Sequence, residues 1–268
     1  MTGVSPKEYM TIAAARLLTN NDVCFVGIGA PSAACNLARL THAPDITLIY
    51  ESGTIATRPD RLPLSIGDGE LHDTALTTVS VPEMFHYWLQ GGRISIGFLG
   101  AAQLDRRGNL NTTVIGSYDA PKVRLPGGGG APEIATQAKQ VFIIAEQSKR
   151  TFVDKIDFLT SLGQGKPGES RAAYGVHTQG PTKLVTDLAI WEMRDLVGRN
   201  VIDPAFEAAH AEFTVMSLHP GVARDDVAAS VGWTPQFAPT VVTTPTPSQT
   251  EIETLRALHA RSASAKKE

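Results

Sequence analysis

The chain has 268 residues, 42% of them hydrophobic and 19% charged, and carries a formal net charge of −3. These are ordinary globular values, with no basic footprint for nucleic acid and no polybasic patch for a membrane surface. No segment approaches the ~20 apolar residues that span a bilayer, and the opening MTGVSPKEYM lacks a signal-peptide pattern, so a cytoplasmic address is the expectation.

In chain order, the first element is a helix. Ser5 is its N-cap, Pro6 opens it, Glu8 closes a capping box, and Met10, Ala13, Ala14 and Leu17 follow at helical spacing, with an end expected near Asn20. VCFVGI reads as a buried strand that turns through glycines into a helix over SAACNLARL. Cys24 and Cys35 fall in that strand and helix, where buried reduced thiols usually sit. ITLIY at 46–50, ISIGFL at 94–99, QVFIIAE at 140–146, KLVTDLAI at 183–190 and FTVMSL at 213–218 read as further short strands, and PEMFHYWLQ at 82–90 as a helix. Alternating strands and crossovers predict an α/β fold, a mostly parallel sheet with helices on both faces. The Gly- and Pro-rich stretch 161–182 reads as a long exposed loop. The expected organisation is one domain over 1–234, then an extended Pro/Thr-rich segment, a helix opened by a Ser248–Glu251 capping box and running to about Ala260, and a frayed SASAKKE end.

Several chemistries are excluded by pattern. There is no H-E-x-x-H and no C-x-x-C, so no metal is expected; Tyr50 and Thr54 stand where a G-x-S-x-G nucleophile elbow needs glycines. GIGAPS at 27–32 is an imperfect dinucleotide fingerprint with Ser32 at the third glycine position, and a strand-to-helix turn explains it better. Asp105 to Gly108 suits a turn with a left-handed glycine, and His219 before Pro220 and Gly221 suits a packed or capping role.

Two stretches carry chemistry. ITLIY delivers Glu51 to the carboxyl end of a strand, where open parallel sheets bind ligands, although a strand-end acid can also be a solvated stop. LPGGGGAPEIA places four glycines, 127–130, before a helix; bare backbone can approach a ligand and offer N–H donors to an oxyanion, whereas a flexible linker would normally be serine-flanked. Arg58, Arg61, Lys122 and Arg124 lie near these landmarks in sequence and could meet a carboxylate or phosphate, though solvation is the commoner fate of each.

Taken together, ESG at 51–53, SIGDGEL at 65–71, GFLGAAQLDRRGNLNTTVIG at 97–116, LPGGGGAPEIA at 125–135, RTFVDKIDFLTS at 150–161 and SLHPGV at 217–222 resemble the β subunit of family I CoA-transferases. The resemblance implies an isomerase/CoA-transferase-like fold, a separate A subunit as partner, and transfer of CoA from succinyl-CoA to 3-oxoadipate, with glutaconate or another short dicarboxylate as the alternative acceptor. It implies Glu51 as the catalytic carboxylate, Gly129, Gly130 and Ala131 as an oxyanion- or CoA-binding run, and no cofactor, the CoA thioester being a substrate. Fused relatives carry Asn where this chain has Ser52, and a relative that opens steroid rings by hydrolysis lacks the acid, so its presence points to transfer. A non-catalytic acyl-CoA-binding subunit is the rival from another class.

Overall fold

A computed structural model describes residues 3–265. The chain divides into two compact units, Met1–Phe98 with Thr246–Glu268, and Leu99–Pro245.

In the first unit the α1 helix, Pro6–Ala15, has the expected capping box: the Glu8 carboxylate accepts from the Ser5 N–H at 2.8 Å and the Ser5 Oγ from the Glu8 N–H. It stops at Ala15 rather than near Asn20, because the Leu17 and Leu18 amides fall back onto Ala14 and Ala15 and Asp22 caps the Thr19 amide. Next come β1 (Val23–Val26), α2 (Ala30–Leu40), β2 (Thr47–Tyr50), β3 (Thr54–Ile55), α3 (Gly69–Asp73), β4 (Thr77–Thr78), the single-turn α4 (Val81–Glu83) and β5 (Ile96–Leu99). The strand order is β5-β1-β2-β3-β4; β1 runs parallel to β2 and β5, while β3 and β4 are antiparallel additions. Residues Met84–Gln90 form a π-helix where an ordinary helix was expected, with the Gly91 and Arg93 amides reaching back five residues to His86 and Trp88. Both cysteines are buried and reduced.

The second unit begins with two hairpins, β6 (Gln103–Leu104) with β7 (Leu110–Asn111) and β8 (Val114–Gly116) with β9 (Pro121–Arg124). Asp105 to Gly108 makes the expected turn, with Gly108 at φ +73°. After α5 (Ala131–Gln137) come β10 (Gln140–Ile144), β11 (Pro181–Val185), β12 (Ala189–Arg194), β13 (Glu212–Leu218), α6 (Arg224–Ala229) and β14 (Gln236–Thr243), in the order β14-β13-β12-β11-β10. KLVTDLAI is therefore a hairpin rather than one strand: the Thr186 Oγ1 accepts from the Leu188 and Ala189 amides and turns β11 into β12. Trp191, Phe213 and Phe152 are fully buried, and Phe152 stacks on Trp233 at 6.0 Å.

The loop 161–182 is anchored rather than simply exposed. Arg171, 4% exposed, donates to the carbonyls of Leu162, Gly163, Thr178 and Ala135, and Arg107 donates to those of Gln164, Gly165, Glu169, Ala208, Ala209 and Ala211. Two guanidinium forks thus satisfy a loop's carbonyls where no ladder can.

The last helix, α7 (Gln249–Ala265), belongs to the first unit and keeps its Ser248–Glu251 capping box. It is longer than expected, because Ser262 is buried and its hydroxyl bonds both the N–H and the carbonyl of Leu62; residues 266–268 of the expected frayed end lie outside the described residues. Arg256 grips Glu8, and Arg16 grips Glu251, so α7 is tied to α1 by two ion pairs. No helix among the described residues is long and apolar enough to cross a membrane.

Candidate active site

The β2 strand is a short aliphatic run, buried at Leu48, Ile49 and Tyr50, and the next residue is Glu51. The chain reverses at once: the Gly53 N–H donates to the Tyr50 carbonyl at 3.0 Å, leaving Glu51 and Ser52 at the tip of the turn, and Ile55 then pairs with Ile49. Gly53 is required here, since its φ is +99° and a Cβ would lie 2.0 Å from the Val79 carbonyl oxygen. The Val79 N–H in turn donates to the Gly53 carbonyl at 2.9 Å, so the turn is strapped to the segment after β4. Glu51 thus stands half-buried where parallel strands β1 and β2 end, the edge at which such sheets bind ligands.

The Glu51 carboxylate takes no hydrogen bond or ion pair among the described residues. Asp68, by contrast, is committed: Arg61 chelates it through two hydrogen bonds and holds its carboxyl down at about 2. The Ser52 Oγ and Thr54 Oγ1 are buried with no hydrogen-bond partner, an unusual state for two hydroxyls flanking one glycine. Below the turn, the Tyr50 phenol enters a buried polar cluster with Ser32 and Asn36 of α2.

The glycine run lies in the second unit. The Gly127 N–H closes onto the Thr112 carbonyl, Gly127 and Gly129 have φ of +101° and +50°, and Gly130 caps α5. The Ala131 N–H bonds the Gly128 carbonyl at 2.9 Å, whereas the N–H groups of Gly128, Gly129 and Gly130 have no acceptor among the described residues. The loop therefore offers consecutive donors, with Ala131 fixing the start of the helix. Gly129, Gly130 and Ala131 are contiguous on this loop, and Glu51 belongs to the other unit.

The four basic residues differ in circumstance. Arg61 is engaged by Asp68, Arg58 donates to the Pro44 carbonyl, and Arg124 stacks over the Tyr118 ring at 4.7 Å; Lys122 is exposed without a partner among the described residues. The Tyr50–Ser32–Asn36 cluster is the feature that sequence patterns did not bring out. Its signal was present: Ser32, Asn36 and Arg39 stand at i, i+4 and i+7 of an otherwise apolar helix.

Residues 7–230 match the Coenzyme A transferase family. The chain is 57% identical, over 99% of its length and 97% of the relative's, to the B subunit of 3-oxoadipate CoA-transferase from Pseudomonas knackmussii. It is 36% identical, over 70% of its length and 73% of the relative's, to the B subunit of glutaconate CoA-transferase from Acidaminococcus fermentans. The crystal structure of glutaconate coenzyme A-transferase from A. fermentans superposes with a TM-score of 0.82 at 29% identity, covering 95% of this chain and 94% of that one.

Proposed function

The chain belongs to the Coenzyme A transferase family, and from that premise we propose that it is the B subunit of a heteromeric enzyme moving CoA from succinyl-CoA to 3-oxoadipate through a covalent state on Glu51. The observation that carries the reading is the unengaged carboxylate at the tip of the Tyr50–Gly53 turn, in a chain 57% identical to a 3-oxoadipate CoA-transferase subunit.

The chemistry follows from what a carboxylate can do. A Glu51 oxygen attacks the succinyl-CoA carbonyl, expelling CoA thiolate and leaving a succinyl–glutamyl anhydride. The thiolate attacks the glutamyl carbonyl, releasing succinate and leaving a glutamyl-CoA thioester. The 3-oxoadipate carboxylate attacks that thioester, regenerating thiolate and an anhydride, and the thiolate then takes the acceptor acyl group as 3-oxoadipyl-CoA, freeing Glu51. One thioester is exchanged for another, so neither ATP nor a metal nor a further cofactor enters.

Each tetrahedral intermediate carries an oxyanion, which needs donors placed beforehand; one such donor is typically worth ~3 kcal/mol. The free N–H groups of Gly129 and Gly130, with Ala131 anchoring the loop, suit that role or the binding of CoA. An anhydride hydrolyses readily, so water must be kept out, and an A subunit closing over the reacting carboxylate is a fitting means. Two buried, reduced cysteines fit a cytoplasmic setting.

The test is to co-express this chain with an A-type subunit and assay transfer from succinyl-CoA to a panel of carboxylates, then trap the intermediate with borohydride and locate the modified residue by mass spectrometry. Turnover with 3-oxoadipate and modification at Glu51 are expected, both absent in Glu51→Ala. Activity on glutaconate alone would favour the second reading, to which the 36% identical relative points.

A further inference from the structure

We propose that Tyr50, Ser32 and Asn36 are positioning residues for the transfer, holding the Glu51 turn in its reactive orientation through a buried hydrogen-bond network on α2. The inference rests on the reading of Glu51 as the covalent carrier.

Tyr50 anchors the turn twice. Its carbonyl accepts the Gly53 N–H that closes the turn, and its hydroxyl lies 2.7 Å from the Ser32 Oγ. The Asn36 Nδ2 donates to the Ser32 carbonyl at 3.0 Å and lies 3.5 Å from the Tyr50 hydroxyl, and its Oδ1 accepts from the Arg39 Nε at 3.2 Å. Arg39 continues the chain, donating through Nη2 to the Pro59 carbonyl at 2.7 Å. One helix face thus holds the chain on both sides of the segment that contains Glu51, by the Tyr50 side chain before it and by the Pro59 carbonyl after it.

The composition of this network argues for orientation rather than stability. Tyr50, Ser32 and Asn36 are each 0% exposed, among Ala33, Ala34, Cys35, Leu37 and Ala38. Phe, Ala and Leu would fill the same space without the desolvation that polar groups suffer, and exchanging both members of a buried hydrogen bond for apolar groups is often nearly neutral. What an apolar cluster lacks is direction: a fully satisfied polar network admits one arrangement of the strand end on the helix, whereas apolar surfaces slide. Burial pushes the Tyr50 phenol above its ordinary pKa, so it remains a neutral hydroxyl, suited to holding geometry. A residue directly before the reacting carboxylate controls its aim, and a misplacement of about 1 Å can cost on the order of 100-fold in rate.

The experiment compares Tyr50→Phe, Ser32→Ala and the double variant Tyr50→Phe/Ser32→Ala in the assembled enzyme. Four readings are taken: kcat, KM for succinyl-CoA, Tm, and the single-turnover rate of borohydride-trappable modification at Glu51. Tyr50→Phe should lower kcat and the trapping rate together by about 10- to 100-fold, with KM within about twofold, because binding is intact and aim is lost. The double variant should recover Tm to within about 3 °C of wild type while the rates stay low. Ser32→Ala, which leaves the strand unaltered, gives the same reading if Tyr50→Phe does not fold. Wild-type trapping rates in the variants, or rates that recover in step with Tm, would overturn the proposal while leaving Glu51 as the carrier. Failure of the wild-type enzyme to be modified at Glu51 would overturn both readings, and is seen before any variant is made.

Discussion

Replacing Gly53 by alanine puts the geometry of the turn to its most direct test. A Cβ at position 53 would lie 2.0 Å from the Val79 carbonyl oxygen, against a normal C···O separation of about 3.3 Å, so turn and strap must part by about 1.3 Å. They cannot part freely, because the Val79 N–H holds the Gly53 carbonyl at 2.9 Å and the Gly53 N–H holds Tyr50 at 3.0 Å. Nor can the backbone relax in place, since φ of +99° lies in a region that L residues rarely adopt. The displacement is delivered to Glu51, two residues away. At about 100-fold per ångström of misplacement, Gly53→Ala should lower kcat at least 100-fold, equivalent to about 2.7 kcal/mol in the barrier, and the strain should also cost about 2–3 kcal/mol of stability. Steady-state transfer by the co-expressed pair, with thermal unfolding of the same preparation, measures both. Turnover within threefold of wild type at unchanged Tm would show that the turn does not aim the carboxylate, and the reasoning from its geometry would fail.

Two further predictions concern the scaffold. The Glu8 and Glu251 carboxyls are held down from 4.5 to about 2, first by their hydrogen bonds to Arg256 and Arg16, so their contribution is complete above pH 4.5 and is lost as pH falls toward 2. Full linkage would give roughly 3 kcal/mol each, which partly solvated arginine partners reduce to about 1 kcal/mol each; Glu8→Gln/Glu251→Gln should therefore lower stability by about 2 kcal/mol at pH 7 and flatten its decline between pH 5 and 2 in denaturant titrations. A steep acid decline that persists in the double variant would contradict this. Arg171→Ala leaves the carbonyls of Gly163 and Ala135 without their buried donor and should cost about 3 kcal/mol, seen as a lowered denaturation midpoint and as new proteolytic cleavage within 161–182; an unchanged midpoint would show that water replaces the guanidinium.

The difference between what could and could not be read from the chain is one of range. Signals that act within a few residues were legible: the boxes Ser5–Glu8 and Ser248–Glu251, the left-handed Gly108, and the ending of an aliphatic strand in Glu51 all resolve locally. Features that depend on distant partners were not. KLVTDLAI reads as one apolar run because Thr186 reveals itself as a turn only through its hydroxyl bonds, and a Gly- and Pro-rich loop gives no hint that Arg107 and Arg171 will gather its carbonyls. The glycine run was visible as a backbone feature, but which amides remain free is a matter of conformation: Ala131 closes on Gly128 while Gly129 and Gly130 stay open.

The α2 stripe lies between these cases and shows why one residue can mislead. Ser32 on its own is a defect in a nucleotide-binding pattern, and its functional sense is invisible until Asn36 and Arg39 are placed on the same helix face. A buried polar stripe must find polar partners, and the strand that supplies one through Tyr50 ends in Glu51 on the next residue. A cost in desolvation is thus incurred directly beneath the one acid in this turn that nothing holds. Had the network served packing alone, any buried strand position would have done equally well; its placement at the base of the Glu51 turn is what ties the polar core of α2 to the chemistry.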